Sequence, residues 1–374
     1  MTRPAATYIL PLRWTEDCGL AALAVYLGEV AQQAEVLVVD GSPAELFHRH
    51  AAALPPAVRH LRPRLTCRNG KVAGVLTGLA EASCERIIIA DDDVRYDPPA
   101  FRRMLELLDD ADAVRPQNYF LALPWHARWD TGRTLLNRAL GSDFPGTLGV
   151  RRSTLRATDG YDGDVLFENL ELLRTVRAAG GKEIRADDLF VGRIPPPAGH
   201  FRRQRIRQAY DDFAQPPRLL LELSLLPALI LLVRRYGALA VPAVAAVVIG
   251  LAETGRRRRG GRLVFSATAA LWAPAWMAER MLTVWAALFL RLTGGIPYAG
   301  SKLAKAGNSL RFLRLRHAEV RLPGHSVPLR GPAGFATVKE DPSISALVPS
   351  GNQHAQQSSP RHWRRVHDQE GPHS

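Results

Sequence analysis

Three consecutive carboxylates follow an uninterrupted apolar run in IIIADDDVRYDP, residues 87–98. Asp91, Asp92 and Asp93 repel one another, so a partly desolvated turn needs a cation or hydrogen-bond donors to keep them ionised. Acids at positions i and i+2, such as Asp91 and Asp93, can project the same way from an extended segment. Mg²⁺ takes such oxygens and completes its shell with water and substrate phosphates. We therefore predict an Mg²⁺ or Mn²⁺ site at Asp91 and Asp93, where the metal stabilises a departing diphosphate; a solvated surface turn is the alternative.

The elements that must position these acids alternate between strands and helices. Four runs predict strands, namely TYILPL (7–12), EVLVVD (35–40), RIIIA (86–90) and DAVRP (112–116). Three stretches with helical spacing of apolar residues lie between them, namely GLAALAVYL (19–27), AGVLTGLAEA (73–82) and AFRRMLELL (100–108). This order predicts an α/β fold with a mostly parallel sheet flanked by helices.

Polar residues follow two of the predicted strands. Asp40 and Ser42 come after the second strand, and the Asp triplet comes after the third. In open α/β sheets ligands bind outside the carboxyl ends of the strands, so both positions are predicted to face one crevice. For Asp40-Gly41-Ser42 an ordinary turn is the alternative interpretation.

Composition and charge narrow the class of protein. The chain has 374 residues, 47% of them hydrophobic, which suits one large domain or two ordinary ones. Its formal net charge of +13 favours a polyanionic partner. The candidates are nucleic acid, an anionic membrane surface and a phosphorylated substrate. The sequence contains no GxGxxG, GxxxxGKS/T or GxSxG motif, which argues against common dinucleotide-binding, P-loop and serine hydrolase proteins.

The cysteines and histidines do not predict a metal site. Three cysteines without CxxC spacing argue against a disulfide framework and a structural zinc site, and favour a reducing, cytosolic compartment. His48, His50 and His60 are interpreted as helix-surface residues rather than metal ligands. The three cysteines are Cys18, Cys67 and Cys84.

From Leu219 the composition becomes strongly apolar. Two runs, 219–233 and 237–252, would each give roughly 23 Å of helix, short of a hydrocarbon core near 30 Å. A third stretch, 263–290, is longer and rich in tryptophan. Arginines at the ends of the apolar runs favour membrane segments over a buried helical domain of a soluble protein. The basic segment after Tyr298 is compatible with an anionic leaflet.

Six motifs over roughly residues 7–215 resemble, in order, those of the family 2 glycosyltransferases. They are ILPLR (9–13) followed by Glu16, VVDGS (38–42), NGK (69–71), DDDV (91–94), FENLEL (167–172) and RQRIRQ (203–208). Each motif is weak alone, and the ordered set is specific. The apolar segments behind them are similar to those of the ceramide-glucosyltransferase-like branch. Without the family, RQRIRQ is typical of a basic amphipathic helix on a membrane surface.

The resemblance implies a GT-A fold, a nucleotide-sugar donor and inversion at the anomeric carbon. Asp91 and Asp93 match the DxD motif of the family, with Asp93 as the main metal ligand and Asp92 in the variable middle place. Gln204 and Arg207 match its QxxRW element, whose arginine forms charge-assisted hydrogen bonds with a diphosphate. The nucleotide-sugar-binding residues implied in this way are Pro11, Glu16, Asp40, Lys71, Asp91, Asp92, Gln204 and Arg207.

Two positions depart from the family pattern. Gln208 stands where the family usually has tryptophan, which puts the contacts of that ring in doubt. The family has an aspartate base in a Glu-Asp pair, whereas this chain has Glu168 followed by Asn169. An amide cannot take a proton from an acceptor hydroxyl, so Glu168 is the predicted base and Asn169 is predicted to orient the acceptor. Glu171 is a second candidate base, and a capping role for Glu168 at a helix start is the alternative.

Residues and resemblance together predict an inverting, metal-dependent glycosyltransferase. It transfers a sugar from a UDP-, GDP- or dTDP-linked donor to a lipid or polyprenyl-type acceptor at the cytosolic membrane face. We predict a catalytic domain over 1–215, membrane-spanning or membrane-embedded helices over 216–300, and a basic segment with a disordered tail over 301–374. No nucleic-acid partner is expected, because the arginines border apolar runs instead of interleaving with aromatic residues. The alternatives are a nucleotidyltransferase of sugar-nucleotide metabolism and a non-catalytic, membrane-attached basic binding protein.

Overall fold

A computed structural model of the chain describes residues 4–17, 19–141, 143–298 and 301–321, so Cys18 and the tail after residue 321 lie outside the described residues. The strands are β1 (Thr7–Leu12), β2 (Glu35–Asp40), β3 (Val58–Leu61), β4 (Arg86–Ala90), β5 (Val94–Arg95), β6 (Ala113–Phe120), β7 (Thr147–Arg151), β8 (Glu183–Arg193), β9 (Ile296–Tyr298) and β10 (Ser301–Leu303). The helices are α1 (Leu20–Val30), α2 (Ala44–Ala53), α3 (Gly70–Glu81), α4 (Pro98–Asp109), α5 (Trp125–Leu140), α6 (Arg152–Ala157), α7 (Glu168–Ala178), α8 (Ala198–Tyr210), α9 (Pro216–Tyr236), α10 (Ala240–Arg257), α11 (Ala273–Leu292) and α12 (Leu310–Arg321). Short 3-10 turns lie at Asp211–Ala214, Arg258–Leu263 and Ala269–Trp272.

Eight strands form one sheet in the order β3-β2-β1-β4-β7-β6-β8-β5, and β9 pairs with β10. In the large sheet four of the seven strand pairings are parallel, and three are antiparallel. The prediction of an α/β fold with a mostly parallel sheet flanked by helices is confirmed. The predicted strands correspond to β1, β2, β4 and the first part of β6. The apolar pattern does not predict β3, β5, β7 and β8, because these strands are short or carry charged residues.

The first strand shows how the sheet buries both of its faces. Tyr8 and Leu10 pack into a hydrophobic cluster with α1 and α4, whereas Ile9 packs with α3 and α7 on the opposite face. Successive strand residues point to opposite faces, so a sheet covered on both sides needs apolar residues at nearly every position. Gly78 brings α3 onto this strand, since a Cβ there would lie 2.6 Å from Ile9 Cγ2. Both layers thus fix where the strands end.

Two of the apolar C-terminal helices, α10 and α11, pack against α5 of the α/β half that precedes them. Leu135 and Leu136 of α5 share a buried cluster with Val248 and Ala252 of α10 and with Trp276 of α11. Helix α9 is, among the described residues, the one helix long and apolar enough to cross a membrane, by length and composition alone. Its 21 residues span about 31 Å at 1.5 Å per residue. The three apolar runs are therefore helical, and two of them bury one face against α5.

The described part of the basic segment, 301–321, packs back onto the α/β half. The backbone N–H of Leu166 donates to the carbonyl oxygen of Lys305 at 3.0 Å. Asn308 donates twice to the buried carboxylate of Glu171, from Nδ2 to Oε1 at 2.6 Å and from its backbone N–H to Oε2 at 2.8 Å. The segment therefore supports the chain just ahead of Glu168, and the carboxylate of Glu171 has a structural role. Contact of the segment with an anionic leaflet stays a prediction.

The two glycines of α10 test whether this helix is packed on the protein or surrounded by lipid. A Cβ on Gly255 would lie 1.9 Å from the carbonyl oxygen of Leu135, whereas a Cβ on Gly250 would meet nothing within 4 Å. We expect Gly255→Ala to lower the free energy of unfolding by about 1–3 kcal/mol through overpacking. The matched change Gly250→Ala should raise it by about 0.8–1 kcal/mol, because alanine favours helix. Thermal midpoints in detergent measure both, and equal stabilisation by the two changes would contradict the packing of α10 on α5.

Candidate active site

A solvent-open cleft lies at the edge of the sheet where β1, β4, β6 and β8 end. It encloses about 1230 Å³, a volume that includes its open mouth. This is the carboxyl edge at which ligands bind in open α/β sheets. The cleft brings together most of the predicted residues, namely Pro11, Lys71, Asp91, Asp92, Asp93, Glu168, Asn169, Gln204 and Arg207. Glu16 and Asp40 do not line it.

Two cations neutralise the acidic turn. The ammonium group of Lys71 lies 2.6 Å from Asp91 Oδ1 and 2.9 Å from Glu168 Oε1. Arg193 Nη2 lies 2.6 Å from Asp93 Oδ2 and 3.9 Å from Asp91 Oδ2. Burial alone would lower the pKa of Lys71, but Asp91 and Glu168 outweigh burial and hold that pKa well above its usual range. The pKa of Asp91 is raised by burial, which the two cations offset only in part. Partners within the protein thus compensate the three like charges.

Arg193, the second of these cations, was not predicted from the sequence. Arg193 ends β8, which pairs antiparallel with β5 so that Val94 lies opposite Arg193. The backbone N–H of Ile194 donates to the carbonyl oxygen of Asp93 at 2.8 Å, and Arg193 Nε lies 3.1 Å from both oxygens of that carboxylate. Because β5 has only two residues and β8 begins with charged ones, no apolar pattern marks this pairing. The one feature of the sequence that could have indicated Arg193 is an arginine at the end of a possible strand near residue 190.

The middle acid, Asp92, has different partners. The indole Nε1 of the buried Trp14 donates to Asp92 Oδ2. Arg95 Nη1 donates to the backbone carbonyl of Asp92 at 2.7 Å. These contacts anchor the turn to β1 on one side and to β5 on the other, which leaves Asp91 and Asp93 as the acids that face cationic partners.

The predicted base, Glu168, is the first residue of α7 and is buried at the cleft floor. Asn69 Nδ2 donates to Glu168 Oε2 at 3.4 Å, while Oε1 is paired with Lys71. Burial works to raise the pKa of Glu168, but Lys71 and Arg207 outweigh it, so the pKa is lowered. Asn169 donates to the carbonyl oxygen of Pro145 at 2.9 Å. Glu168 is thus ionised and firmly held. It lies in the first turn of α7, after the N-cap residue Phe167, and its carboxylate accepts a hydrogen bond from its own backbone N–H, so the role at the helix start coexists with its contacts in the cleft.

Helix α8 carries the residues of the predicted QxxRW element along the cleft wall. Gln204 contacts His200 through Nε2 at 3.1 Å, and Arg207 acts electrostatically on Glu168. Gln208, at the position of the family tryptophan, accepts a hydrogen bond from Arg205. Asp211, which directly follows α8, also lines the cleft and was not identified from the sequence. The helix therefore presents polar and cationic groups to the acids on the opposite wall.

Asp40 lies behind the cleft, and its carboxylate is fully buried. Its Oδ2 bonds to His50 Nδ1 at 2.6 Å and His60 Nε2 at 3.0 Å, and its Oδ1 accepts from the backbone N–H of Ser42 at 2.8 Å. Burial alone would raise the pKa of Asp40, but the hydrogen bonds from these donors outweigh burial, so the pKa is lowered. The helix-surface interpretation is therefore wrong for His50 and His60, which satisfy a buried carboxylate, and holds for the exposed His48. The contact of Asp40 with a nucleotide stays a prediction.

A divalent cation fits the acidic turn as a site with two protein carboxylates. Among the described residues, the only group of three acidic, histidine or cysteine side chains with ligand atoms within 4.8 Å of one another is Asp40, His50 and His60. The hydrogen bonds of Asp40 with His50 and His60 account for the closeness of these ligand atoms. The turn therefore provides no closed cage, which matches Mg²⁺ sites that use one or two carboxylates and substrate phosphates. The side chains of Asp91 and Asp93 are 27% and 23% exposed, so their oxygens are reachable from the cleft.

Comparison with known proteins connects the first part of the chain to one family. The family model described as "Glycosyl transferase family 2" matches residues 21–150. These residues include the acidic turn, Lys71 and the strands β2, β4 and β6. No curated protein matches the chain.

Two of the solved structures that the chain matches are distant from it in sequence. A mannosyltransferase from Pyrobaculum calidifontis, in complex with GDP-Man and Mn²⁺, is 20% identical over 76% of this chain and 88% of its own, with a TM-score of 0.47. Glucosyl-3-phosphoglycerate synthase from Mycobacterium tuberculosis, in complex with Mn²⁺, UDP and phosphoglyceric acid, is 17% identical over 52% of this chain and 72% of its own, with a TM-score of 0.35. Sequence identities and TM-scores this low do not allow an activity or a ligand to be assigned to this chain. Over residues 21–150, about a third of its length, the chain is thus similar to the family 2 glycosyltransferases.

Proposed function

We propose that this chain is an inverting glycosyltransferase that moves a sugar from a nucleoside diphosphate donor to a lipid or polyprenyl-type acceptor. The observation that carries the proposal is the arrangement of charges in the cleft. Asp91 and Asp93 on one wall face Lys71 and Arg193, and Arg207 lines the same cleft from α8. A diphosphate needs cations for its oxygens, and a metal shared with it needs carboxylates. The cleft contains both.

The residues of the cleft have distinct roles in this reaction. Arg193 and Arg207 can donate charge-assisted hydrogen bonds to the diphosphate, and Lys71 can serve as a point charge beside it. A Mg²⁺ or Mn²⁺ ion held by Asp91 and Asp93 would supply further charge stabilisation for the leaving diphosphate. If a phosphate took Arg193 from Asp93, the carboxylate oxygens of Asp93 would be available to hold the metal ion. The protein would thereby exchange one compensated arrangement of charges for another.

Inversion requires that a hydroxyl acceptor attack the anomeric carbon on the face opposite the leaving diphosphate and lose its proton to a group near that acceptor. A carboxylate can take that proton and an amide cannot, so Asn169 is limited to orienting the acceptor. Glu168 remains the base predicted from the sequence. Its ion pair with Lys71 keeps it ionised, and the same pair reduces its affinity for a proton.

The proposed acceptor and location follow from α9 and its neighbours. Only 6% of the most apolar 18-residue stretch of this helix is buried in the protein. Leu220 and Leu231 are 68% and 63% exposed. Arg234 and Arg235 stand at its carboxyl end. Exposed apolar helix surface with arginine at its border is typical of a membrane segment. We therefore propose a membrane-attached enzyme whose catalytic cleft meets its acceptor at the bilayer surface, on the cytosolic side that the free Cys67 and Cys84 favour.

Replacement of Asp93 tests the metal and donor roles. We expect Asp93→Ala to abolish sugar transfer and to remove the Mn²⁺-dependent part of donor binding, because a metal ligand and the partner of Arg193 are both lost. Calorimetry with UDP-, GDP- and dTDP-sugars, with and without Mn²⁺, measures the binding. Asp110→Ala, at an exposed position after α4, is the control and should behave like wild type. Unchanged transfer by Asp93→Ala would refute the metal role, and wild type that binds none of the donors would refute the donor.

Replacement of Leu231 tests membrane attachment. An aspartate near the centre of a membrane helix costs roughly 2.5–3.5 kcal/mol, so Leu231→Asp should shift the protein from the membrane fraction toward the soluble fraction. Val25→Asp is the matched control, because Val25 is also highly exposed, at 66%, but lies on α1 of the catalytic half. Flotation with vesicles of anionic phospholipid measures the bound fraction. Equal loss of flotation in both variants, or in neither, would contradict attachment through α9.

A further inference from the structure

One carboxyl group of the cleft has no role in the account above. Asp211 follows the last residue of α8 and lines the same cleft as Glu168 and Arg207. Its Oδ1 atom is shielded from solvent and has no hydrogen-bond partner in the part of the chain that the structure describes. A shielded carboxyl oxygen left unpaired is costly, so it calls for a functional or structural explanation.

The backbone at this position is held in place by the next residue. Asp212 is buried and binds Arg280 of α11 at 3.1 Å and Arg218 of α9 at 3.0 Å. Arg218 also lies 3.0 Å from Glu222 of α9. Two adjacent aspartates therefore have separate surroundings, one in an ion cluster and one in the cleft. The ion cluster explains Asp212 and fixes the backbone, but it gives no partner to Oδ1 of Asp211.

We propose that Asp211 takes the proton from the acceptor hydroxyl during sugar transfer and is thus a further catalytic residue of this cleft. The inference rests on the proposed function and makes the acceptor nucleophile a neutral hydroxyl group. In the step, the acceptor oxygen forms the bond to the anomeric carbon as its proton moves to the Asp211 carboxylate. The bond from the anomeric carbon to the diphosphate breaks, and its electron pair leaves with the diphosphate.

Asp211 suits this step better than Glu168 does. Both oxygens of Glu168 have partners, so protonating Glu168 would break its ion pair and leave the ammonium of Lys71 with one carboxylate fewer. Burial raises the pKa of Asp211 to about 8; Arg207 and Arg280 oppose the rise, while the charges of Glu168 and Asp212 add to it. A position at the carboxyl end of α8 disfavours the ionised form further. A base is most effective when its pKa is near the working pH.

The pH dependence of catalysis and of stability separates this role from a structural one. For wild type, kcat/KM should rise about tenfold per pH unit below an inflection near pH 8. In the unfolded chain the pKa of an aspartate is about 3.9, so a raised folded pKa means that this carboxyl stabilises the fold at low pH. That stabilisation is lost as the pH rises from about 4 through about 8. Asp211→Asn should therefore raise the thermal midpoint at pH 9 and raise it much less at pH 5.

The test measures transfer from radiolabelled UDP-, GDP- and dTDP-sugars by the full chain in detergent micelles. Diacylglycerol is the hydroxyl acceptor, and farnesyl monophosphate is an acceptor whose oxygen is already ionised. We expect Asp211→Asn to lower kcat/KM with diacylglycerol by about 10²–10⁴-fold, to lose the inflection near pH 8 and to bind UDP, GDP or dTDP as wild type does. Glu168→Gln should keep that inflection, whatever its rate.

The outcomes separate this inference from the proposed function. Transfer to diacylglycerol by Asp211→Asn at the wild-type rate, with the wild-type pH profile, would overturn the role of Asp211 alone. Transfer by wild type to farnesyl monophosphate and not to diacylglycerol would do the same, since an ionised acceptor needs no base. Wild type that binds none of the three nucleotides and transfers no sugar would overturn the proposed function and this inference together.

Discussion

Charge compensation in one partly buried turn is the constraint on which the cleft depends. Asp91 and Asp93 can stay beside each other because Lys71 reaches Asp91 from α3 and Arg193 reaches both acids from β8. Removing one partner of such a pair leaves an uncompensated buried charge, which is costly. Exchange of partners avoids that cost. Because the same cations suit a diphosphate and the same acids suit a metal, the proposed function requires an exchange of partners on binding.

Much of this site could be predicted from the sequence, because acids after an apolar strand are a local pattern. The acidic turn, Lys71, Glu168 and Arg207 are drawn into one cleft by the order of strands and helices. Arg193 could not be predicted, since its position depends on the short antiparallel pairing of β5 with β8. Asp40 shows the opposite limit. A residue at the carboxyl end of a strand need not face the crevice, and here two histidines from α2 and β3 enclose it.

The strands and helices could be predicted where apolar runs are continuous. They could not be predicted where packing against neighbouring elements determines the structure. The buried strands β1, β2 and β4 follow from composition, whereas β7 and β8 need their neighbours to be recognised. Composition also marks α9, α10 and α11 as apolar without indicating which face each helix buries. Gly132 of α5 and Gly255 of α10 allow α11 and α10 to approach α5 closely, since a Cβ on either would meet backbone atoms within 3 Å. Ion pairs of Asp212 with Arg218 and Arg280 then link α9 and α11 to the end of α8.

A crystal structure of the full chain with Mn²⁺ and a nucleoside diphosphate, UDP, GDP or dTDP, tests the central claim most directly. The anomalous signal of manganese locates the ion independently of the protein model. The account predicts one ion between the carboxylates of Asp91 and Asp93 and the diphosphate, with Arg193 or Arg207 bonded to phosphate oxygens. An ion held by Asp40, His50 and His60, or a diphosphate bound away from an acidic turn still paired with Lys71 and Arg193, would contradict it.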